Sequence, residues 1–327
     1  MKRSRPVSRI RVPKLKLTKK VRYRVRNWPT YNESLVKRGS LTLWISQDSV
    51  AAWKAEQAPK RGGQFQYSDA AIQCLLVARS VFHLTLRATE GFAWSVLPLL
   101  GLRLTVPDYT TLCKRAKSLA VSLPRWAAGP LHLVLDSTGL KVFGEGEWKV
   151  RQHGYTKRRI WRKLHLSVDV ATQEIHGVLL SAASLDDAGA VPELLEQTTE
   201  PVAQLSADGA YDKRKVYDTC GERGIDQVAI PPRRDARIWQ HGNCAAPPLR
   251  RDENLRRIRQ VGRRRWKQEA NYHQRSLAET AMFRFKTIFG AHLQARQLPQ
   301  QRTEARVKCV ALNWMTHLGM PDSYRVA

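Results

Sequence analysis

The sequence predicts an α/β protein: a mixed β-sheet flanked by helices, preceded by a small helical domain. Three observations predict it. Between Pro130 and Pro232, apolar strand-like runs come first and then alternate with helical patterns, the order of a mixed sheet. Between Ser68 and Leu119, three helical patterns follow one another with short turns between them. Near the C-terminus, TEARVKCVALNWMTHLG repeats its apolar residues at helical spacing. A chain of 327 residues has room for two domains and extensions.

Residues 1–26 hold 12 Lys or Arg and no acid, and Pro6 and Pro13 interrupt any helix. A basic flexible arm is expected there, ordered on a phosphate backbone or simply solvated. A helical domain is expected over 27–123. Ser68 or Asp69 can cap a helix carrying Ile72, Leu75, Leu76 and residues 78–82; TLRATEGFAWSVLPLL supplies a second, and DYTTLCKRAKSL, capped by Asp108, a third. This spacing fits a helix-turn-helix module that presents Thr110, Thr111, Lys114 and Arg115 to DNA. Any small α-domain can be built the same way, so both readings stand.

A second domain is expected over 124–327. LHLVLD, KLHLSVDV and EIHGVLLSA read as neighbouring antiparallel strands. VPELLEQ reads as a helix, LSAD as a strand, KRKVYDTCGERG as a helix closed by Gly224, and QVAIPP as a strand halted by its prolines. Residues 233–267 form a basic insertion, twelve Lys or Arg against Asp235, Asp252 and Glu253. In the last helix Val307, Val310, Ala311, Trp314 and Leu318 are core candidates.

Charge narrows the partner. There are 56 Lys plus Arg against 28 Asp plus Glu, a formal charge of +28 with a pI near 10.5. Such an excess repels itself and is relieved by a polyanion, nucleic acid first and an anionic membrane second. No apolar run reaches the roughly 20 residues that span a bilayer. The N-terminus lacks the pattern of a secretory signal, and five cysteines without a C-x-x-C pair suggest reduced thiols, so a cytoplasmic location is expected. No phosphate-binding G-x-x-x-x-G-K-[ST] loop and no H-E-x-x-H zinc pattern occurs.

Three carboxylates stand out. Asp136 ends LHLVLD and Asp208 ends QLSAD, each followed by small residues, so each is expected at a strand end facing a cleft. Either one alone is read at least as easily as a turn former. In YHQRSLAETAMFRFK, the offsets of Tyr272, Arg275, Glu279 and Lys286 put all four on or near one helical face, while Leu277, Met282, Phe283 and Phe285 imply packing on a core. An i, i+4 salt bridge on a solvated face is the alternative for Glu279, and the apolar content of the same segment argues against it. Carboxylate oxygens suit a hard divalent cation. Asp169 is expected to form a turn, Asp186 and Asp187 to cap a helix, and Asp212 to cap KRKVYDTC. Lys157, Arg158, Arg159, Arg162 and Lys163 form a second basic cluster.

The order of Asp136 in LVLDSTGL, Asp208 in SADGAYD and Glu279 in the Tyr272, Arg275, Glu279, Lys286 signature, with near-equal spans between the acids, resembles the DDE transposases of bacterial insertion sequences, insertion-sequence family five in particular. The resemblance implies an RNase H-like catalytic domain with two Mg²⁺ or Mn²⁺ ions. Asp136 would bridge both, and Asp208 and Glu279 would each complete one shell. It implies cleavage at terminal inverted repeats that frees a 3′-OH, then in-line attack of that hydroxyl on target DNA. It also implies that Tyr272, Arg275 and Lys286 contact double-stranded DNA near the cleaved end, and that the protein works as at least a dimer in a bacterial cytoplasm. Arg158 and Arg159 become candidates for phosphate contacts. A nuclease of the same fold, or a DNA-binding regulator without catalysis, would share parts of this pattern.

Overall fold

Side-chain caps set four of the helix starts in the N-terminal third of the computed structural model, which describes residues 22–56, 62–142, 161–240 and 248–326. The first strand, β1 (Arg22–Val25), precedes α1 (Trp28–Lys37), which carries a proline in its first turn where no N–H is needed. Two short helices follow, α2 (Leu41–Trp44) and α3 (Gln47–Ala51). Ser68, rather than Asp69, caps α4 (Asp69–Val81) by accepting the Ala71 N–H. Thr85 caps α5 (Leu86–Leu99) and Asp108 caps α6 (Tyr109–Arg115) in the same way.

The arm expected over 1–26 is only partly testable, because residues 1–21 lie outside the described residues. Its last part is not an arm: β1 pairs antiparallel with β8 (Ser323–Val326). The boundary expected at 124 does not separate two cores either. Ile72, Leu75, Ala93, Leu97 and Leu112 of the N-terminal helices share one apolar cluster with Leu164, Phe285, Val310 and Met315.

The main sheet contains β2 (Leu131–Val142), β3 (Trp161–Asp169), β4 (Ile175–Ala182), β5 (Val202–Ser206), β6 (Gln227–Ala229) and the short β7 (His292–Leu293). Its order is β4-β3-β2-β5-β6, with β7 added beside the end of β2. The first three strands pair antiparallel, as expected, and β5 and β6 join in parallel. Alternation sorts their side chains. Val134, Leu140, Leu164 and Leu166 face α11 (Ser276–Phe289) and α12 (Leu298–Leu318); Leu131, Leu133, Leu135 and Leu205 face α7 (Val191–Glu196) and α8 (Arg214–Glu222).

Close packing requires Gly177 in β4: a Cβ there would stand 2.6 Å from Ser167 Oγ and 2.7 Å from the Leu194 carbonyl of α7. On the other face, buried Asn313 of α12 accepts the Ile175 N–H and donates to its carbonyl, satisfying the backbone where the β3–β4 register shifts. The insertion folds as α9 (Arg250–Val261) and α10 (Arg263–Glu269), turned at Gly262 with φ 81° and held by buried Trp266. Among the described residues no single helix is long and apolar enough to cross a membrane. Cys74, Cys113, Cys220 and Cys309 are free thiols.

Candidate active site

A notch in the sheet creates the site. β5 pairs with β2 only along Leu131–Val134, and β7 joins β2 only at Lys141 and Val142. Among the described residues, 135–140 therefore pair with β3 on one edge and with no strand on the other. Asp136 sits in this gap, six residues before the end of β2 rather than at its end as expected. The physical reason is that the neighbour ends, not the strand. By alternation Asp136 shares the face of Val134 and Leu140, the face that α11 covers. Asp208 lies two residues beyond the last residue of β5, and α11, which carries Glu279, runs towards β7.

The charges of Asp208 and Glu279 reach Asp136. Burial pushes the Asp136 carboxyl above its ordinary value; the Ser137 N–H, 2.9 Å from Oδ1, and Arg275 oppose this, while the like charges of Asp208 and Glu279 add to it. Asp208 Oδ1 accepts the Ala210 N–H at 2.9 Å, capping the 3₁₀ turn Gly209–Tyr211. Glu279 is paired with Arg275. Burial pulls the Arg275 guanidinium down, but Tyr272, Glu279 and Asp136 outweigh it and raise its pKa. Tyr211, 1% exposed, buries a hydroxyl whose pKa is pushed far up by burial and by Asp187, Asp136 and Asp208.

The donor set is all carboxylate, which fits a hard divalent cation better than zinc. Among the described residues, however, no three His, Cys, Asp or Glu side chains are gathered into a ready metal-binding group. Glu279 is turned to Arg275 through Oε1. The i, i+4 ion pair that the apolar content of the segment argued against is present all the same, because Glu279 lies on the exposed side of α11.

Tyr272 and Arg275 do not share one α-helix with Glu279. Asn271 turns left-handed at φ 50°, Tyr272–Arg275 form a 3₁₀ turn, and α11 begins at Ser276. Tyr272 is 9% exposed and packs at 6.0 Å from Trp266, with Lys267 over its ring at 4.9 Å. Lys286 is half-buried on α11. Beneath this turn runs a polar chain: Gln204 donates to the Ala270 carbonyl at 2.8 Å and to Ser206 Oγ at 3.2 Å, and Ser206 meets His132 Nε2 at 2.8 Å. Burial keeps the His132 pKa low, so the ring is neutral near pH 7. The chain positions the Tyr272–Arg275 turn from strand positions; the sequence reading missed it, since only the alternation of His132 with Val134 and Gln204 with Ser206 hinted at it.

Behind Asp208, Asp212 is not the expected cap: the N-cap of α8 is Lys213, and Asp212 instead holds Arg251 of the insertion at 2.9 Å. Arg251 also reaches the Arg237 carbonyl and Asp252, and stacks 3.7 Å over Trp239. Asp169 forms the expected turn, accepting the Thr172 and His132 N–H groups. Asp186 caps Gly189 and pairs with Lys213, whereas Asp187 pairs with Lys163 and approaches His165.

The basic candidates divide. Arg115, expected to read DNA, is 7% exposed: it donates to the Tyr67 carbonyl, pairs with Asp69 and stacks on Phe65. Its place next to Leu112 on α6 turns it inward. Thr110 and Lys114 are exposed, and the Thr110 hydroxyl donates to Asp108. Arg158 and Arg159 lie outside the described residues, while Arg162 and Lys163 have internal partners, Gln301 and Asp187. Within the insertion, Arg257 and Arg265 share Glu269, Arg250 holds Asp226 and Glu253, and Arg263 caps the Pro232 carbonyl, so part of its charge knits the insertion itself.

Two family models, each described as a transposase DDE domain, match the chain, one over residues 36–145 and one over 127–314. Among solved structures, the piggyBac transposase synaptic complex with hairpin DNA is similar over 87% of this chain and 75% of that chain, at 8% identity and a TM-score of 0.38. The Drosophila P element transposase strand transfer complex is similar over 88% and 86%, at 12% identity and a TM-score of 0.28.

Proposed function

From the transposase DDE family, to which this chain belongs by the match over 127–314, we propose a DNA transposase of a bacterial insertion sequence of the family-five kind. It binds terminal inverted repeats, cuts there, and joins the freed 3′-OH to target DNA. The observation that carries this reading is the place of Asp136 in the notch between the end of β5 and the start of β7, where the like charges of Asp208 and Glu279 reach it. The sheet that frames the notch, three antiparallel strands continued by two parallel ones, supports an RNase H-like arrangement.

Asp136, Asp208 and Glu279 would hold a pair of divalent ions, Mg²⁺ or Mn²⁺. Such ions supply Lewis acidity and lower the pKa of a bound water. Asp136 lies in the middle of the notch, and its pKa, raised chiefly by burial with Asp208 and Glu279 adding to it, would fall when positive charge enters. Arg275, paired with Glu279, would also offer its guanidinium to a phosphate oxygen beside the site. The Tyr272–Arg275 turn, set by Gln204, Ser206 and His132, keeps that guanidinium at the edge where a DNA end would lie. Lys286, Thr110 and Lys114 are further candidates for DNA contacts, α4 to α6 for the helix-turn-helix module, and a dimer on paired ends in the cytoplasm is the expected working form.

Incubation of the full chain with a DNA fragment carrying the element's ends tests the reading. Nicking at the end is expected with Mg²⁺ or Mn²⁺, none with EDTA, and none with Asp136→Asn. Joining of the cut 3′-end to a second DNA is expected as well; cutting without joining would mark a nuclease, and binding without cutting a regulator.

A further inference from the structure

The two ends of the described chain meet in a separate two-stranded ribbon, β1 with β8, in register Arg22↔Val326, Tyr23↔Arg325, Arg24↔Tyr324 and Val25↔Ser323. All eight residues are exposed or half-buried, so the ribbon adds little to either apolar core. An isolated ribbon of this length is marginal in water. Here its base is tied down: the Arg26 N–H donates to the Asp322 carbonyl at 2.7 Å, the Asp322 N–H to Asn27 Oδ1 at 2.7 Å, and Asn27 Nδ2 to the Met320 carbonyl at 3.0 Å. The fold thus presents an element that it does not use for its own packing.

Its side chains say what it is presented to. Opposed residues share a face, so Tyr23 lies beside Arg325 on one side and Arg24 beside Tyr324 on the other. Arg26 continues the second face, 5.6 Å over the Tyr324 ring. Tyr23 and Tyr324 are 66% and 40% exposed. Asp322 stands 3.8 Å from Arg26 in a pair too exposed to hold it firmly. Arginine forks with tyrosine hydroxyls beside them match phosphate oxygens, and a two-stranded ribbon is narrow enough for a major groove about 12 Å wide.

We propose that the β1–β8 ribbon is a DNA-docking surface built apart from the carboxylate notch, gripping the phosphate backbone of a duplex through Arg22, Arg24 and Arg325. The proposal rests on the reading of this chain as a DNA enzyme. It assigns the join between the chain's two ends a sequence-independent role, in which contacts to the backbone hold and orient the duplex without reading bases.

Counterion release gives a count of the contacts. Binding of the full chain to a short duplex without the element's ends is followed by fluorescence anisotropy over a range of salt, in EDTA. Replacing three phosphate contacts should lower the slope of log K against log salt by about 2.7, at about 0.9 per contact. That drop is expected for Arg22→Ala/Arg24→Ala/Arg325→Ala, with the unfolding temperature unchanged, and the slope should be retained by Arg22→Lys/Arg24→Lys/Arg325→Lys. A wild-type slope kept by the Ala variant overturns the proposal; arginines that only keep the ribbon's edges from pairing would give that result, together with self-association of the variant. A slope lost equally in the Lys variant also overturns it. A wild-type slope near zero overturns the reading of the chain as a DNA enzyme, and the ribbon's role with it.

Discussion

Arg251 and Asp212 form an ion pair whose side chains are 5% and 3% exposed, and the pair joins the basic insertion to the turn that follows Asp208. Tyr217 donates its hydroxyl to the same Asp212 carboxylate at 3.2 Å. The insertion and the candidate metal ligand are thus one mechanical unit.

Breaking this pair from one side should be costly, because it strands a buried charge. Arg251→Ala is expected to lose about 3–5 kcal/mol of stability, and Arg251→Lys less, since it keeps the charge but not the planar fork. Urea unfolding followed by tryptophan fluorescence measures both. In the folded Lys variant, cleavage should fall more than DNA binding, because the displaced group is Asp208. Equal losses in cleavage and binding would remove the link to Asp208.

Asp136 should respond to pH and to substitution with a defined sign. Its pKa in the fold lies above the ordinary aspartate value, chiefly through burial. The stability it contributes is therefore present below that value and lost as pH rises through the raised pKa. Without metal, Asp136→Asn should unfold at a higher temperature than wild type near pH 7, with the gap closing on acidification. The same variant should not cleave. In the wild type, protons and divalent ions compete for this carboxyl, so the Mn²⁺ concentration needed for half-maximal cleavage should rise as pH falls. A stability gap that widens in acid would contradict the assignment.

The sheet was legible because alternation and Gly or Pro punctuation are local signals, and they set LHLVLD, KLHLSVDV and EIHGVLLSA side by side correctly. What local pattern could not supply was where a neighbour stops. Asp136 looked like a strand end because small residues follow it, yet β2 runs on to Val142 and the opening comes from the short β5. Asp212 and Arg251 are far apart in sequence, and a buried ion pair between them leaves no periodic trace. Arg115 misled for the same reason: its charge suggested water or DNA, but Asp69 and the Tyr67 carbonyl bury it. The β1–β8 pairing joins the two ends of the described residues, a contact no local pattern can announce.

Arg115 and Lys114 are adjacent and should behave as opposites. Arg115→Ala removes a guanidinium that ties α6 to the start of α4, and a loss of about 2 kcal/mol is expected, below the value for a fully buried pair because Asp69 is 52% exposed. Lys114→Ala, on an exposed position, should change stability by less than about 0.5 kcal/mol. If α6 meets DNA, Lys114→Ala weakens binding without touching the unfolding temperature. Equal stability of the two variants would refute the structural role of Arg115.

His165 gives the fold a titration of its own. It is fully buried in β3, its Nε2 is 3.0 Å from Ser181 Oγ, and its Nδ1 is 3.6 Å from Asp187. Burial pushes its pKa down to about 4 although Asp187 pulls the other way. The neutral ring is what the fold accepts. The unfolded chain takes up a proton near the ordinary histidine value of about 6.5, so stability is full above that pH and drains away as pH falls from there to about 4. The loss from this one group is at most about 3 kcal/mol. His132 and His176 are also held low by burial and act in the same direction. His165→Gln keeps a polar partner for Ser181 without the titration, so its unfolding free energy should depend less steeply on pH between 6.5 and 4 than that of the wild type. Denaturant midpoints across that range decide it: parallel curves would mean that His165 is already charged in the fold and that Asp187, not burial, sets its state.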